Sequence, residues 1–353
     1  MNAAGTYAER DQQLARRNAF HPRRPQSFFI EQEHSASGEV VSVVTIVLTN
    51  RECPWRCIFC DLWKNTLARS VPPGAIPAQI DFAFRRLRET YDIPTEQSAI
   101  LDMPPSHRAR QIKLYNSGSF FDPKAIPPED LPAIAERVRR FERIIVECHP
   151  ALIGDSALRF RDMLAGGASP LNAVSKLEIA MGLEIADDAL LARLNKGMKL
   201  EMYARASRFL NAHDVDVRAF VMVRPPFVTS EESALQFARR SIDFAFDWGA
   251  SAVSLIPARF GAAELQVLAK EGHFAPPKLA TLEAALDYGV GLRRGRVFAD
   301  VWDLEKFAYC LGCFVERRER LGRVNLQQHV LPRIECRVCD VEPLEPGQIV
   351  VER

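Results

Sequence analysis

From Val40 to Leu48 the chain reads Val-Val-Ser-Val-Val-Thr-Ile-Val-Leu, a run of strand formers that predicts a first β-strand. Apolar positions then return at helical spacing over Ile76 to Tyr91, with Ile80, Phe84 and Leu87 on one face and Arg85, Arg86 and Arg88 largely on another. Thr95 to Arg110 carries Pro104 and Pro105 with little periodicity and reads as a loop. The alternation resumes as strand Ile112 to Tyr115, helix Pro127 to Phe141, strand Arg143 to Glu147 and helix Asp155 to Leu164. After a glycine-rich turn come strand Lys176 to Glu184, helices Asp187 to Leu194 and Glu201 to His213, and strand Val217 to Val223. A helix capped by Thr229, with Glu232 completing a capping box, leads to a sixth strand, Ala252 to Ile256. Strands that alternate with helices pair in parallel through right-handed crossovers, and six such units close into an open barrel or lie as a doubly wound sheet. In either case chemistry collects at the carboxyl ends of the strands.

Composition narrows this picture. The chain has 353 residues, 47% hydrophobic and 26% charged, with a formal net charge of +1, which suits a globular protein and not a strongly basic nucleic-acid binder. No apolar run reaches the length of a membrane span and the start shows no signal pattern, so the expectation is a cytoplasmic chain with no membrane partner. Residues 1–38 read as a polar arm with Arg10, Arg16, Arg17, Arg23 and Arg24, a solvated extension anchored by Phe28, Phe29 and Ile30; its alternative is contact with an anionic partner.

The eight cysteines fall as Cys53, Cys57 and Cys60, a lone Cys148, and two C-x2-C pairs, Cys310 with Cys313 and Cys336 with Cys339. The first three follow the first strand at C-x3-C-x2-C spacing. Three thiolates can each hold one iron of a [4Fe–4S] cube and leave the fourth iron open. Zinc would ask for a fourth Cys or His nearby, and none lies between Arg51 and Ala68.

This loop resembles the signature of the radical S-adenosylmethionine (SAM) superfamily, C-x3-C-x-aromatic-C, with Phe59 as the aromatic residue. The resemblance covers roughly residues 40 to 260 and implies an α/β fold, a partial (β/α)6 TIM-like barrel at residues 39–260. It also implies that the open iron chelates SAM and that a reduced cluster, supplied with electrons by a partner such as flavodoxin or ferredoxin, generates a 5′-deoxyadenosyl radical. On this resemblance Asn116, Ser117, Gly118 and Ser119 form the turn that receives the SAM amino group. Glu147, ending the third strand, reaches the ribose. Gly182-Leu183-Glu184 matches the motif of the branch containing coproporphyrinogen oxidases, methylthiotransferases and Elongator-type proteins, and Lys196 before Gly197 neutralises the SAM carboxylate. The fifth strand departs from that branch because it lacks an Asp, so Arg218 stands as the candidate ligand there; Arg224 is either at the substrate mouth or a plain surface residue.

Several strings together, Leu114-Tyr115-Asn116-Ser117-Gly118-Ser119-Phe120-Phe121-Asp122, Val146-Glu147-Cys148-His149-Pro150, Gly182-Leu183-Glu184, Pro225-Pro226-Phe227 and Asp303-Leu304-Glu305, are most similar to the archaeosine-biosynthesis radical SAM proteins. That likeness implies C–N bond cleavage on a modified tRNA nucleoside, with tRNA as a candidate partner. The alternatives are a radical SAM enzyme acting on a small metabolite or natural-product intermediate and, in another class, a non-catalytic iron–sulfur or zinc RNA-binding protein.

The two C-x2-C pairs are separated by 22 residues and predict a small C-terminal metal-binding extension, residues 261–353, holding Zn2+ or a second iron–sulfur cluster, with structural zinc favoured. Beside them Arg317, Arg318, Arg320, Arg323, Arg333 and Arg337 offer either a grip on RNA phosphates or a solvated helix face.

Overall fold

The computed structural model describes residues 18–90, 109–166 and 175–341. Arg10, Arg16 and Arg17 of the predicted arm, positions 95–108 of the predicted loop and most of the glycine-rich turn lie outside the described residues.

In chain order the elements are β1 (Ser27–His34), β2 (Val40–Val47), α1 (Ala75–Thr90), β3 (Ala109–Tyr115), α2 (Leu131–Val138), β4 (Arg143–Glu147), α3 (Asp155–Ala165), β5 (Lys176–Glu184), α4 (Asp188–Arg193), α5 (Leu200–Ala212) and β6 (Asp216–Val223). They continue with α6 (Glu231–Asp247), β7 (Ala252–Pro257), α7 (Ala263–Lys270), α8 (Leu279–Gly291), β8 (Arg296–Ala299), α9 (Leu311–Gln327) and α10 (Arg337–Val341). The sheet has eight strands in the order β1-β2-β3-β4-β5-β6-β7-β8, each beside its neighbour in sequence, which is the topology of a partial (β/α) barrel. All six predicted strands are present as β2 to β7, and β1 and β8 are additional. No described helix is long and apolar enough to cross a membrane.

The residues fall into two compact units, one drawn from Met1–Glu33, Val41–Gly182 and Asn195–Val217, the other from His34–Val40, Leu183–Leu194 and Arg218–Arg353. In the first, parallel pairing aligns Thr45, Lys113, Ile145 and Glu178 across β2 to β5, so these side chains share one face of the sheet. The opposite face is apolar: Val44, Ile46, Ile112, Leu114, Ile144, Val146 and Ile179 are fully buried, as are Ile76, Ile80 and Ala83 of α1. Each large aliphatic side chain removed from water contributes about 2 kcal/mol.

The shared polar face explains β1. Lys113 Nζ lies 2.9 Å from Glu31 Oε1 and 2.5 Å from Glu33 Oε2, and Thr45 Oγ1 donates to Glu31 Oε1 at 2.6 Å. The arm expected to be a solvated extension thus supplies a strand whose two carboxylates neutralise a buried ammonium. Its charges obscured the strand because they look solvent-facing until Lys113 is placed opposite them. Arg143 makes the second buried group, with Glu178 at 3.0 Å and Asp216 at 2.5 Å. Lys113→Met should cost about 3 kcal/mol in urea unfolding, because it strands the buried Glu33 carboxylate, and Glu33→Gln added to it should recover part of the loss. A free energy unchanged in the single variant would show the pair to be energetically idle.

In the second unit β6, β7 and β8 run parallel, with Val221, Leu255 and Ala299 in register. The helix α6 starts one residue later than the capping box predicted. Ser230, not Thr229, is the N-cap, and its Oγ accepts from Ser233 N at 3.1 Å. The reason is Arg224, which is buried, adopts φ 55°, donates to the Thr229 carbonyl at 2.8 Å and the Pro276 carbonyl at 2.9 Å, and pairs with Glu231. Glu231 also accepts from Lys278 N and Thr281 Oγ1, which draws it into the first turn. Arg224 is therefore a buried tie, neither a surface arginine nor one free to meet substrate.

Candidate metal and cofactor centre

The cysteine loop begins where β2 leaves the sheet. Gln79 of α1, fully buried, donates to the carbonyls of Thr49 and Pro22, both at 2.7 Å, and accepts from Thr49 N at 2.8 Å, which holds the exit of the strand. Leu67 N bonds to Asn50 O at 2.8 Å and Glu52 N to Leu67 O at 3.0 Å, so the loop is closed at its base. Inside it Cys60 N bonds to Cys57 O at 3.1 Å, turning the chain between those two thiols, and Phe59 is half-buried beside them. Burial first and the charge of the neighbouring Cys57 with it push the Cys53 thiol up to about 11 and the Cys60 thiol up to about 12. Three thiols, one buried and two half-buried, that repel one another when ionised are ligands that need a cationic centre to become thiolates, which fits a cluster of iron ions.

The turn after β3 passes against this loop. A Cβ at Gly118 would lie 3.6 Å from Cys53 Cβ. The left-handed residue of the turn is Ser117, φ 52°, and Ser119 Oγ accepts from His149 N at 3.0 Å. Glu147 Oε1 accepts from Asn116 N at 2.5 Å and Gly118 N at 3.4 Å, so its carboxylate holds the turn in place. Burial raises the Glu147 carboxyl above its ordinary range, opposed by these amides and by the Lys196 charge. Among the described residues both ends of the fully buried Asn116 carboxamide lack a hydrogen-bond partner, as do Thr49 Oγ1 and Asn50 Oδ1. Such groups suit a polar ligand bearing both donors and acceptors, as the amino and carboxylate groups of SAM do.

Residues 195–197 close the far side of the loop. Asn195 Nδ2 donates to Trp55 O at 3.2 Å and Arg56 O at 3.0 Å, and the Trp55 ring stacks on His149 with centroids 3.8 Å apart and planes 11° from parallel. Gly197 has φ +70°, and a Cβ there would fall 2.2 Å from Trp55 Cδ1. Lys196, buried, has its charge close enough to Cys53, Glu147 and His149 to shift all three. A cavity of about 480 Å³ opens beside Cys53, lined among others by Arg51, Glu52, Trp55, Arg56, Asp122 and Lys124.

His149 is held in one tautomer. Nδ1 accepts from Ala151 N at 3.1 Å, so Nε2 carries the proton that faces the Lys196 carbonyl at 3.1 Å. Burial pushes the imidazole down to about 4, the Lys196 ammonium adds to the fall, and the hydrogen bond to the Lys196 carbonyl opposes it. The native state then binds fewer protons here than the unfolded chain below its ordinary value of about 6.5, so the stabilisation is complete above that pH and is lost as pH falls toward the depressed value. Metal-free protein should lose about 2 kcal/mol between about pH 7 and about pH 5 through this group. Urea midpoints for the parent and His149→Gln test it, since the variant should lack this component of the slope.

The structure therefore brings Cys53, Cys57, Cys60, Phe59, Asn116, Ser117, Gly118, Ser119, Glu147 and Lys196 into one unit. Glu184 and Arg218 belong to the other. Glu184 is buried with φ 61° at the end of β5, and Arg218 is buried as the third residue of β6, its guanidinium 5.1 Å from the Phe298 ring centre. Sequence reasoning missed Trp55, His149 and Asn195 as the residues that hold the cysteine loop; the available signal was a tryptophan inside the motif and a left-handed turn implied by Lys196-Gly197.

In the second unit Cys310 and Cys313, at the start of α9, meet Cys336 and Cys339 at α10, with all four Sγ atoms within 4.8 Å of one another. This group can hold a metal ion. Of the six arginines nearby, Arg320 is fully buried, bonded to Asp287 at 2.8 and 2.9 Å and to the carbonyls of Leu331 and Pro332. Arg317 is paired with Glu283. Those two are internal ties, neither a solvated face nor a phosphate grip, whereas Arg318, Arg323, Arg333 and Arg337 are exposed.

No family model matches the chain. Over 254 residues, 69% of this chain and 65% of the relative, it is 25% identical to archaeosine synthase subunit beta of Methanosarcina acetivorans. The chain resembles the archaeosine-biosynthesis radical SAM proteins. It is also 20% identical over 347 residues to an uncharacterized protein of Methanocaldococcus jannaschii, covering 93% of this chain and 88% of that one. Among solved structures, Streptococcus suis SuiB bound to S-adenosylmethionine matches with a TM-score of 0.44 and 15% identity, over 73% of this chain and 51% of SuiB. The chain thus spans about half the length of that structure and just under two thirds of the archaeosine synthase subunit.

Proposed function

We propose that this chain is a radical SAM enzyme of the cytoplasm, with Cys53, Cys57 and Cys60 holding a [4Fe–4S] cluster. The observation that carries the reading is the closed loop of three free thiols, Cys57 buried and Cys53 and Cys60 half-buried, lying against the 116–119 turn, with the buried Asn116 carboxamide, unpartnered among the described residues, and the buried Lys196 in the same unit. When bound, the cluster and SAM together supply a 5′-deoxyadenosyl radical that removes hydrogen from a substrate. The chain's own residues bind and orient: the Lys196 ammonium offsets the SAM carboxylate, the Asn116 carboxamide receives its polar end, and Glu147, which takes the Asn116 and Gly118 amides, holds that turn in shape. His149, fixed as the neutral Nε2–H tautomer, supports Trp55 and moves no proton. A flavodoxin or ferredoxin supplies the electron.

The substrate class favoured by the archaeosine likeness is a modified tRNA nucleoside, cleaved at a C–N bond. A second reading, a small metabolite or natural-product intermediate, is favoured by the formal net charge of +1, because RNA binding draws on concentrated basic surface. Anaerobically reconstituted protein with reductant should release 5′-deoxyadenosine from SAM; its absence would remove the reaction class altogether. A tRNA titration at two salt concentrations separates the substrates, since affinity that falls steeply with salt supports the nucleoside and no affinity at either supports the metabolite.

A further inference from the structure

We propose that Cys310, Cys313, Cys336 and Cys339 form a closed site for one zinc ion and not a second iron–sulfur centre. Cys310 Sγ lies 3.8 Å from Cys336 Sγ, Cys313 Sγ lies 3.6 Å from Cys339 Sγ, and no pair among the four is more than 4.8 Å apart. Four thiolates at the corners of a tetrahedron around one ion, with Zn–S bonds of about 2.3 Å, stand about 3.8 Å from one another. In a cubane each thiolate sits on a different iron and the four are held apart by the whole width of the cube. In a two-iron cluster the two pairs face each other across a rhomb of iron and sulfide. Sulfurs drawn this close enclose one ion and leave no space for bridging sulfides.

Between the two ions that take a tetrahedral all-sulfur site singly, the order of divalent affinities favours zinc over ferrous iron. The site is closed, because Cys310 and Cys313 are buried and every corner of the tetrahedron is taken by a thiolate, so it offers no position for substrate or water. Arg317, one turn along α9 from Cys313, reaches both the Cys313 thiol and Glu283 of α8, with Nε 3.1 and 3.2 Å from the carboxylate oxygens. Its guanidinium thereby offsets the charge of a tetrathiolate and ties it to the neighbouring helix. The ion's role is to fasten α10 to the start of α9 across 22 intervening residues. Resting on the function proposed above, a second consequence is that the chain carries a single redox cluster, at Cys53, Cys57 and Cys60.

The full chain, expressed with iron and zinc both supplied and purified without oxygen, is assayed for both metals and by X-ray absorption at the zinc edge. One zinc per chain is expected, surrounded by four sulfurs at about 2.3 Å. It should persist in the Cys53→Ala/Cys57→Ala/Cys60→Ala protein, which loses its iron, and vanish from the Cys336→Ser/Cys339→Ser protein, which retains its iron. Iron that falls in the Cys336→Ser/Cys339→Ser protein, a single iron in place of zinc, or four metal-free cysteines paired as disulfides would each overturn the assignment. If the double variant does not fold, the absorption spectrum of the parent decides between zinc and iron by itself. A parent that holds the zinc but no iron would count against the radical SAM reading and leave the zinc site standing.

Discussion

Cys57→Ala should yield protein that holds no stable iron–sulfur cluster and forms 5′-deoxyadenosine from SAM at less than about a thousandth of the parent rate, at least ~4 kcal/mol of lost transition-state stabilisation. Cys57 is the one buried residue of the three, and its carbonyl accepts the Cys60 backbone amide in the turn that carries both thiols. Two thiolates and a methyl group cannot hold a three-point cubane, and the loop supplies no substitute donor, since no other Cys or His lies between Arg51 and Ala68. Iron content, the visible charge-transfer absorption of the cluster and 5′-deoxyadenosine release are measured together on anaerobic protein. Unchanged iron and turnover in this variant would mean that the trio is not the cluster's anchor.

Gly197→Ala is expected to have the next largest effect, and for a reason remote from any ligand. The backbone at φ +70° is strained for any residue with a Cβ, and that Cβ would lie 2.2 Å from Trp55 Cδ1 and 2.8 Å from Nε1. The indole cannot swing away cheaply, because His149 stacks on it and Asn195 holds the Trp55 and Arg56 carbonyls from the same side as Gly197. Strain and overlap together should cost about 2 to 4 kcal/mol of stability. They should also displace the stretch between Cys53 and Cys57, so cluster occupancy falls while all three thiols remain. A second change, Trp55→Ala on the Gly197→Ala background, should restore folding stability by removing the overlap. Restored occupancy in that double variant would show that Trp55 serves only to fill space; occupancy that stays low would assign it to positioning the loop.

The alternation of strands and helices was legible because both periodicities are written locally, and it located β2 to β7 without tertiary information. β8 is four residues long, too short for a period to emerge, and β1 carries Glu31 and Glu33, whose charges argue against burial until Lys113 stands opposite. The capping box at Thr229 failed for a similar reason: Glu231 and the Thr229 carbonyl are taken up by Arg224, and that partner is set by the path of the backbone.

By itself the sequence determined the donor set, three thiols in one loop and four in two pairs, because ligand spacing within a knuckle is a property of a few consecutive residues. It also determined which segments are strands, whereas their order, sequential in an open barrel and reversing in a doubly wound sheet, was left open by the alternation and came from the family resemblance and the folded sheet. Only the tertiary structure decided what grips the cysteine loop, for Trp55, His149 and Gly197 meet through contacts between distant segments that carry no common pattern. The same holds for the separation of the four C-terminal sulfurs: the C-x2-C repeats are compatible with one ion or several, and the distance across the two pairs, which separates those cases, exists only once α9 and α10 are folded together.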